Sequence, residues 1–219
     1  MESNLKSILG FLGLFGAISV GVGEFLLHYS EQVLTTQGEF MFFGHVNISH
    51  LYIGHFLAML GLPFYFAGYM HIYLMLKSGN KSLAAIVLGL GFVAFSVGGV
   101  WIGSRGFLGT IVHLHADMPS DNFATIVDHY SKLLEVLVQV LRVFILLLSA
   151  AFVIAIIKGG TQYAKWMAFF NPITILIIFV LIGTLSPWIG KFTLPILMNI
   201  THVVIFSISL YQIKTNLKS

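Results

Sequence analysis

Long apolar runs separated by short polar connections repeat along the whole chain. A helix needs about 20 consecutive apolar residues to cross a hydrocarbon layer of about 30 Å, and the runs have about this length. The pattern therefore predicts an all-α fold, a bundle of six transmembrane helices. The predicted spans cover residues 8–28, 50–76, 83–105, 132–157, 166–185 and 192–211. Asn171 and Pro172 either kink the fifth span or mark its true start.

The composition leaves little room for anything except membrane helices. Of the 219 residues, 58% are hydrophobic and 9% are charged, and the mean hydropathy is +0.95. Soluble domains carry about 25% charged residues, so most of this surface must meet lipid. We expect residues 1–219 to form a single polytopic membrane domain with the lipid bilayer as its partner. The lysines stand singly at the ends of apolar runs, which excludes nucleic acid as a partner; no oligomeric state is predicted.

Basic residues are distributed unevenly between the two sets of connections. Seven lysines fall at the N-terminus, after spans two and four, and in the C-terminal tail, whereas Lys191 stands alone on the other side. Because Lys and Arg are retained in the cytoplasm, this bias predicts that both termini are cytoplasmic.

Ionisable residues gather in the half of the predicted bundle that faces away from the cytoplasm, including Glu31 and Glu39 in the first outer connection. His71 and Glu2 are the exceptions. An ionisable side chain at the bilayer centre costs about 2.5–3.5 kcal/mol on insertion scales, so these groups should face a protein interior or a wet cavity. The candidate ligand-binding residues are Glu24, His28, His55, Ser104, Arg105, Lys132, Glu135, Arg142 and His202.

One face of the fourth span is polar. The stripe consists of Asp128, Lys132, Glu135, Gln139 and Arg142, which recur at helical spacing. We expect it to pack against spans that carry complementary charge, such as those with Glu24 and Arg105. Two interpretations stay open: charges that hold the bundle together by mutual pairing, and a hydrated pocket that opens outward. Polar contacts between membrane helices contribute only about 0.6 kcal/mol on average, so stability alone is a weak reason to keep the stripe.

His113, His115 and Asp117 alternate along the second outer connection. In an extended segment the three side chains would point the same way and could supply the His and carboxylate ligands that zinc uses. In a helix the side chains would diverge and could not share one metal ion. The alternative interpretation is a polar outer loop with histidines at the headgroup level. Zinc is therefore the cofactor that the sequence brings into consideration. The chain has no cysteine, which removes thiolate ligands.

Two segments resemble a functionally uncharacterised family of bacterial polytopic membrane proteins. They are Leu-Pro-Phe-Tyr-Phe-Ala-Gly-Tyr-Met-His-Ile-Tyr at 62–73, followed by Lys77 and by Leu-Ala at 83–84, and Trp-Ile-Gly-Ser-Arg at 101–105. The resemblance implies a multi-pass protein of the bacterial inner membrane and carries over no catalytic residues. It makes His71, Tyr73, Ser104 and Arg105 worth testing. A looser similarity is to the ceramidase and adiponectin-receptor superfamily of intramembrane metal hydrolases, which uses serine, aspartate and histidines on seven helices.

Three functions follow from these patterns. The first is binding of a small molecule or lipid headgroup in an outward-facing polar pocket within the membrane. The second is metal-assisted hydrolysis of a lipid, with His113, His115 and Asp117 as ligands and Glu24 or Glu135 as base. The third is a structural or accessory membrane subunit without a ligand. The sequence leaves open whether the chain is an enzyme.

Overall fold

The computed structural model describes residues 2–30 and 40–216, and within these ranges the chain forms helices and turns without a strand. The α-helices are α1 (Glu2–His28), α2 (Ile48–Leu76), α3 (Lys81–His113), α4 (Ser120–Lys158), α5 (Pro172–Leu185), α6 (Pro187–Thr193) and α7 (Leu197–Asn216). Short 3₁₀ helices cover Met41–His45, His115–Asp117, Lys165–Phe170 and Leu194–Ile196. The predicted all-α fold is confirmed. Glu31 and Glu39 lie outside the described residues.

Five segments are long and apolar enough to cross a membrane. They are Asn4–His28, Ile48–Leu76, Lys81–His113, Ser120–Lys158 and Pro187–Ile213, the last of which joins α6 to α7. The 14 residues of α5 are also apolar but rise only about 21 Å, short of a hydrocarbon layer of about 30 Å. A multi-pass membrane protein is therefore supported, whereas the count of six spans and the cytoplasmic termini stay predictions.

Asparagine side chains cap the starts of three helices. Asn47 accepts a hydrogen bond from a backbone N–H at the start of α2, and Asn80 does the same for α3, each at 2.9 Å. Asn171 accepts from the Thr174 N–H at 3.2 Å, and Pro172 occupies the first turn of α5. Asn171 and Pro172 therefore start a helix and do not kink one, because proline fits the first turn, where its missing N–H has no partner.

Both α3 and α4 extend beyond the predicted spans. Residues 106–113 continue α3 and residues 120–131 begin α4, where the sequence predicted a connection. Apolar side chains continue at helical spacing through the start of α4, and Phe123, Val127 and Tyr130 pack against the core. With 39 residues, α4 rises about 58 Å, nearly twice the thickness of the hydrocarbon layer. The helix is therefore much longer than a membrane span requires.

A glycine-lined face of α1 packs against α2 and α7. Gly13 lies against Gly68 and Gly23 lies against Ala58. Residue numbers rise along α1 while those of their partners fall along α2, so the two helices are antiparallel. Gly10 lies against Leu210, so the N-terminal part of α1 contacts the C-terminal part of α7. Small residues at these positions allow the helix backbones to approach closely.

Lysines mark one end of the bundle. At one end α2 finishes beside Lys77, α3 starts at Lys81 and α4 finishes at Lys158. The connections meet there, because the Gln162 N–H donates to the Met75 carbonyl at 2.9 Å. We call this the lysine end and the opposite one the far end.

Candidate ligand-binding cavity

A cavity of about 650 Å³ lies between α1, α2, α3, α4, α5 and the start of α7. Its walls are mostly leucine, isoleucine, valine and other apolar side chains, and its polar lining comes from Glu24, Trp101, Arg142 and Asn199. Glu24 lies 18 residues beyond Lys6 and therefore about 27 Å along α1. Glu24 and the cavity wall around it therefore lie towards the far end of the bundle.

Three helices meet at the Glu24 carboxyl group. The side chain is 7% exposed, and Asn199 from α7 and Tyr65 from α2 are 3% and 0% exposed. Tyr65 Oη donates to Asn199 Oδ1 at 2.6 Å, and Asn199 Nδ2 donates to Glu24 Oε2 at 2.5 Å. The two bonds hold a carboxyl group at the wall of an otherwise apolar space.

His202 packs beside the Tyr65 ring but belongs to the helix core. Its Nδ1 lies 2.8 Å from the Met198 carbonyl, which can only accept, so Nδ1 carries the hydrogen. Nε2 therefore accepts from the Tyr69 hydroxyl at 2.7 Å. His202 is fully buried and is not among the residues that line the cavity.

Arg105 and His28 meet near the far end of the bundle. Arg105 Nε donates to His28 Nε2 at 2.5 Å. The guanidinium carbon lies 4.8 Å from the Trp101 ring centroid and 5.3 Å from that of Phe43, distances at which a cation is attracted to an aromatic face. The Arg105 guanidinium is thus held by an imidazole and by aromatic rings.

His55 and Ser104 line a second space, a groove of about 560 Å³ on the outer surface of α2 and α3. The His55 ring packs on Gly106, and its Nδ1 is buried without a hydrogen-bond partner among the described residues. Ser104 Oγ donates to the Val100 carbonyl one turn earlier at 2.9 Å. The structure therefore places these two residues away from the Glu24 carboxyl group.

The polar stripe of α4 does not pack against the buried charges of α1 and α3, in contrast to the expectation from the sequence. Lys132 and Glu135 are exposed. Lys132 Nζ donates to Asp128 at 2.6 Å and Gln139 Nε2 donates to Glu135 at 2.5 Å. Partners four residues apart on one helix satisfy each other, so no second helix is required. Arg142 is also exposed, but it reaches the cavity wall.

The predicted zinc ligands do not adopt the extended conformation that the hypothesis requires. His113 ends α3, and His115 and Asp117 belong to a 3₁₀ helix in which His115 Nδ1 bonds to the Val112 carbonyl at 2.9 Å. Within residues 2–30 and 40–216, no group of three or more His, Cys, Asp or Glu side chains is placed to hold a metal ion. The zinc site therefore stays a prediction from the sequence, and metal analysis of the purified protein is its direct test.

A second buried polar cluster joins the helices at the lysine end. The Lys6 carbonyl accepts from His71 Nδ1 at 2.8 Å, so His71 Nε2 accepts from the Ser209 hydroxyl at 2.6 Å. The Ser209 oxygen in turn accepts from the Tyr163 hydroxyl at 2.6 Å. Burial raises the pKa of Tyr163, which lies in the connection after α4. The cluster ties α1, α2 and α7 to that connection.

The sequence-based site omitted Tyr65, Tyr69 and Asn199. These side chains are neutral, whereas the predicted site residues were chosen mainly for their ionisable groups. A signal was present on α7, where Asn199 and His202 stand three residues apart in an apolar helix and therefore share a face.

Apolar helices around buried polar groups define a multi-pass helical membrane protein. The chain belongs to a family of unknown function, DUF6796, whose profile matches residues 1–216. This agrees with the resemblance to an uncharacterised family. No curated protein and no solved structure matches the chain significantly, so the comparisons add no support for the similarity to the ceramidase and adiponectin-receptor superfamily.

Proposed function

We propose that the chain is a multi-pass protein of the bacterial inner membrane that binds a small amphiphilic molecule in the cavity between its helices. The membrane is crossed six times, both termini are cytoplasmic, and the cavity lies in the outer half of the bilayer. The observation that carries the proposal is the Glu24 carboxyl group, which is buried, bonded to Asn199 and placed at the wall of an otherwise apolar cavity.

The surroundings of Glu24 favour binding over a purely structural role. A carboxyl group that only joined helices would be enclosed by them, because an ionisable group in hydrocarbon needs partners on all sides. Here one side of Glu24 meets Asn199 and another meets open space of about 650 Å³. Small-molecule sites typically have about 300–1,000 Å³, mostly apolar walls and a few convergent polar groups, which is the arrangement found here.

The cavity is less polar than the pocket that the sequence predicted. Lys132 and Glu135 point away from the bundle, so the site has one polar end at Glu24 and Asn199 instead of a polar lining throughout. Such a space suits a molecule with a long apolar part and a small polar end.

Two glycines of α3 provide a matched pair of variants. A Cβ built at Gly98 or at Gly89 meets no atom within 4 Å, so either position accepts a side chain without a clash. Gly98 lines the cavity, whereas Gly89 is exposed on the outer surface of the same helix. Gly98→Phe therefore fills part of the cavity, and Gly89→Phe adds the same ring to the lipid-facing surface.

The test is to extract the protein from membranes with a nanodisc-forming polymer and identify the bound small molecules by mass spectrometry. We expect an amphiphile at about one copy per chain in the wild type and in Gly89→Phe, and at least about tenfold less in Gly98→Phe, a loss of about 1.4 kcal/mol in binding free energy. Equal amounts in the two variants, or no enriched molecule in the wild type, would overturn the proposal in favour of a structural subunit.

A further inference from the structure

The hydrogen bonds beside the cavity all run in one direction. Tyr65 donates to Asn199, and Asn199 donates to Glu24. Glu24 is therefore the terminal acceptor, and a carboxylate has lone pairs for several donors. The bond from Asn199 ends on Oε2 and Glu24 lines the cavity, so the carboxyl group has capacity to accept from a ligand there as well. A ligand that donates a hydrogen bond fits this wall.

The neighbouring part of the cavity wall offers a hydrogen-bond donor. Trp101 lines the same cavity, and its Nε1 is buried without a hydrogen-bond partner in the described part of the chain. A buried N–H group without an acceptor is unfavourable, and indole nitrogen can only donate. A ligand that also accepts a hydrogen bond satisfies it. A hydroxyl group both donates and accepts, whereas an ammonium group only donates and a carboxylate only accepts.

The charges of the lining favour a polar end without net charge. The cavity wall carries one acid, Glu24, and one base, Arg142. Because the walls are otherwise apolar, a charged ligand would lose its hydration without a wall of uniformly opposite charge to replace it. A neutral hydroxyl group loses much less on entering the cavity.

The size of the cavity limits the apolar part to one chain. A water-sized group occupies about 30 Å³ of liquid volume, so about 650 Å³ accommodates about twenty such groups. A single acyl or alkyl chain with a small polar end fits this volume, and a lipid with two long chains exceeds it.

We infer that the cavity binds a neutral single-chain amphiphile whose polar end is a hydroxyl group, the class that includes monoacylglycerols and long-chain alcohols. Its hydroxyl group donates to Glu24 and accepts from Trp101 while the chain lies along the apolar wall. This inference rests on the proposed function, since it names the ligand of the same cavity.

Four probes with the same twelve-carbon chain test the inference: monolauroylglycerol, laurate, dodecylamine and dodecylphosphocholine. Full-length protein in lipid nanodiscs is titrated with each probe, and the dissociation constant is measured from the shift in thermal unfolding. We expect monolauroylglycerol to bind at least about tenfold more tightly than each of the other three, the effect of one buried hydrogen bond.

Variants separate the two walls. Trp101→Phe keeps a ring but removes the N–H, so it should weaken monolauroylglycerol binding about tenfold. Trp188→Phe is its control, because Trp188 is 71% exposed on α6 and is not among the residues that line the cavity. Glu24→Leu removes the acceptor on the other wall, so it should also weaken monolauroylglycerol binding about tenfold.

The outcomes distinguish this inference from the proposed function. A monolauroylglycerol preference that is lost in Trp101→Phe and kept in Trp188→Phe supports the inference. Tighter or equal binding of laurate, dodecylamine or dodecylphosphocholine refutes the hydroxyl class but leaves amphiphile binding in place. If none of the four probes binds, and Gly98→Phe carries as much extracted amphiphile as the wild type, both proposals fail.

Discussion

Gly13 and Gly68 set the distance between α1 and α2, and replacing Gly13 by alanine tests this contact. The two backbones approach so closely that a Cβ at Gly13 would press on the Gly68 Cα atom. A backbone atom cannot rotate away as a side chain can, so the helices themselves must separate. The extra methyl group therefore disturbs the whole α1–α2 interface.

The expected magnitude comes from two opposing effects. Alanine is favoured over glycine in a helix interior by about 0.8–1.0 kcal/mol. Overpacking a close contact costs about 1–3 kcal/mol, and a clash between backbones belongs at the upper end of that range. Gly13→Ala should therefore lower the free energy of unfolding by about 2 kcal/mol. Gly89→Ala gains the helix preference alone, since nothing lies within 4 Å of its Cβ.

Thermal unfolding of the two variants in the same detergent measures the difference. A gap of about 3 kcal/mol between them corresponds to about 6–12 °C in Tm for a chain of this size. If Gly13→Ala unfolds within about 2 °C of Gly89→Ala, the close approach of α1 and α2 is refuted.

Three further predictions follow from other contacts. Tyr69→Phe leaves His202 Nε2 without its donor in the core and should lower the free energy of unfolding by about 1–3 kcal/mol, measured by chemical denaturation in mixed micelles. Because burial raises the pKa of Tyr163, the folded state holds the phenolic proton more tightly than the unfolded state; stability is complete below the unfolded pKa of about 10 and falls above it. Tyr163→Phe should flatten that fall in a Tm series from pH 8 to pH 11, and an unchanged slope would contradict it. The chain has no cysteine, so Ser78→Cys and Ala116→Cys report topology directly: an impermeant maleimide should label the second in intact cells and the first only after permeabilisation.

The apolar pattern predicted the helices well because hydrocarbon imposes a simple requirement on them. Asn171 and Pro172 marked the start of α5 because each residue has a defined place at a helix N-terminus. The far ends of α3 and α4 were missed, since bilayer thickness limits a span but does not limit a helix. Residues 120–131 pair polar and apolar faces like a soluble helix, a pattern that an average over hydropathy hides.

The sequence identified part of the cavity lining. Glu24 and Arg142 line the cavity, and both were singled out because a charge in an apolar run is conspicuous. Asn199 was missed because it carries no charge. Its hydrogen bond to Tyr65, which is 134 residues away in the chain, cannot be predicted from the neighbouring sequence. Lys132 was predicted to face the interior because the sequence does not distinguish pairing with Asp128 on the same helix, which leaves both side chains exposed, from pairing between helices.

The uninterrupted length of α4 has a mechanical consequence. Its 39 residues contain neither glycine nor proline, the usual causes of kinks, so the helix behaves as one stiff rod. One part of this rod carries the exposed residues Asp121 and His129, which precede the predicted span, and another carries Val138 and Arg142 at the cavity wall. A displacement of the exposed part would therefore be transmitted to the cavity wall.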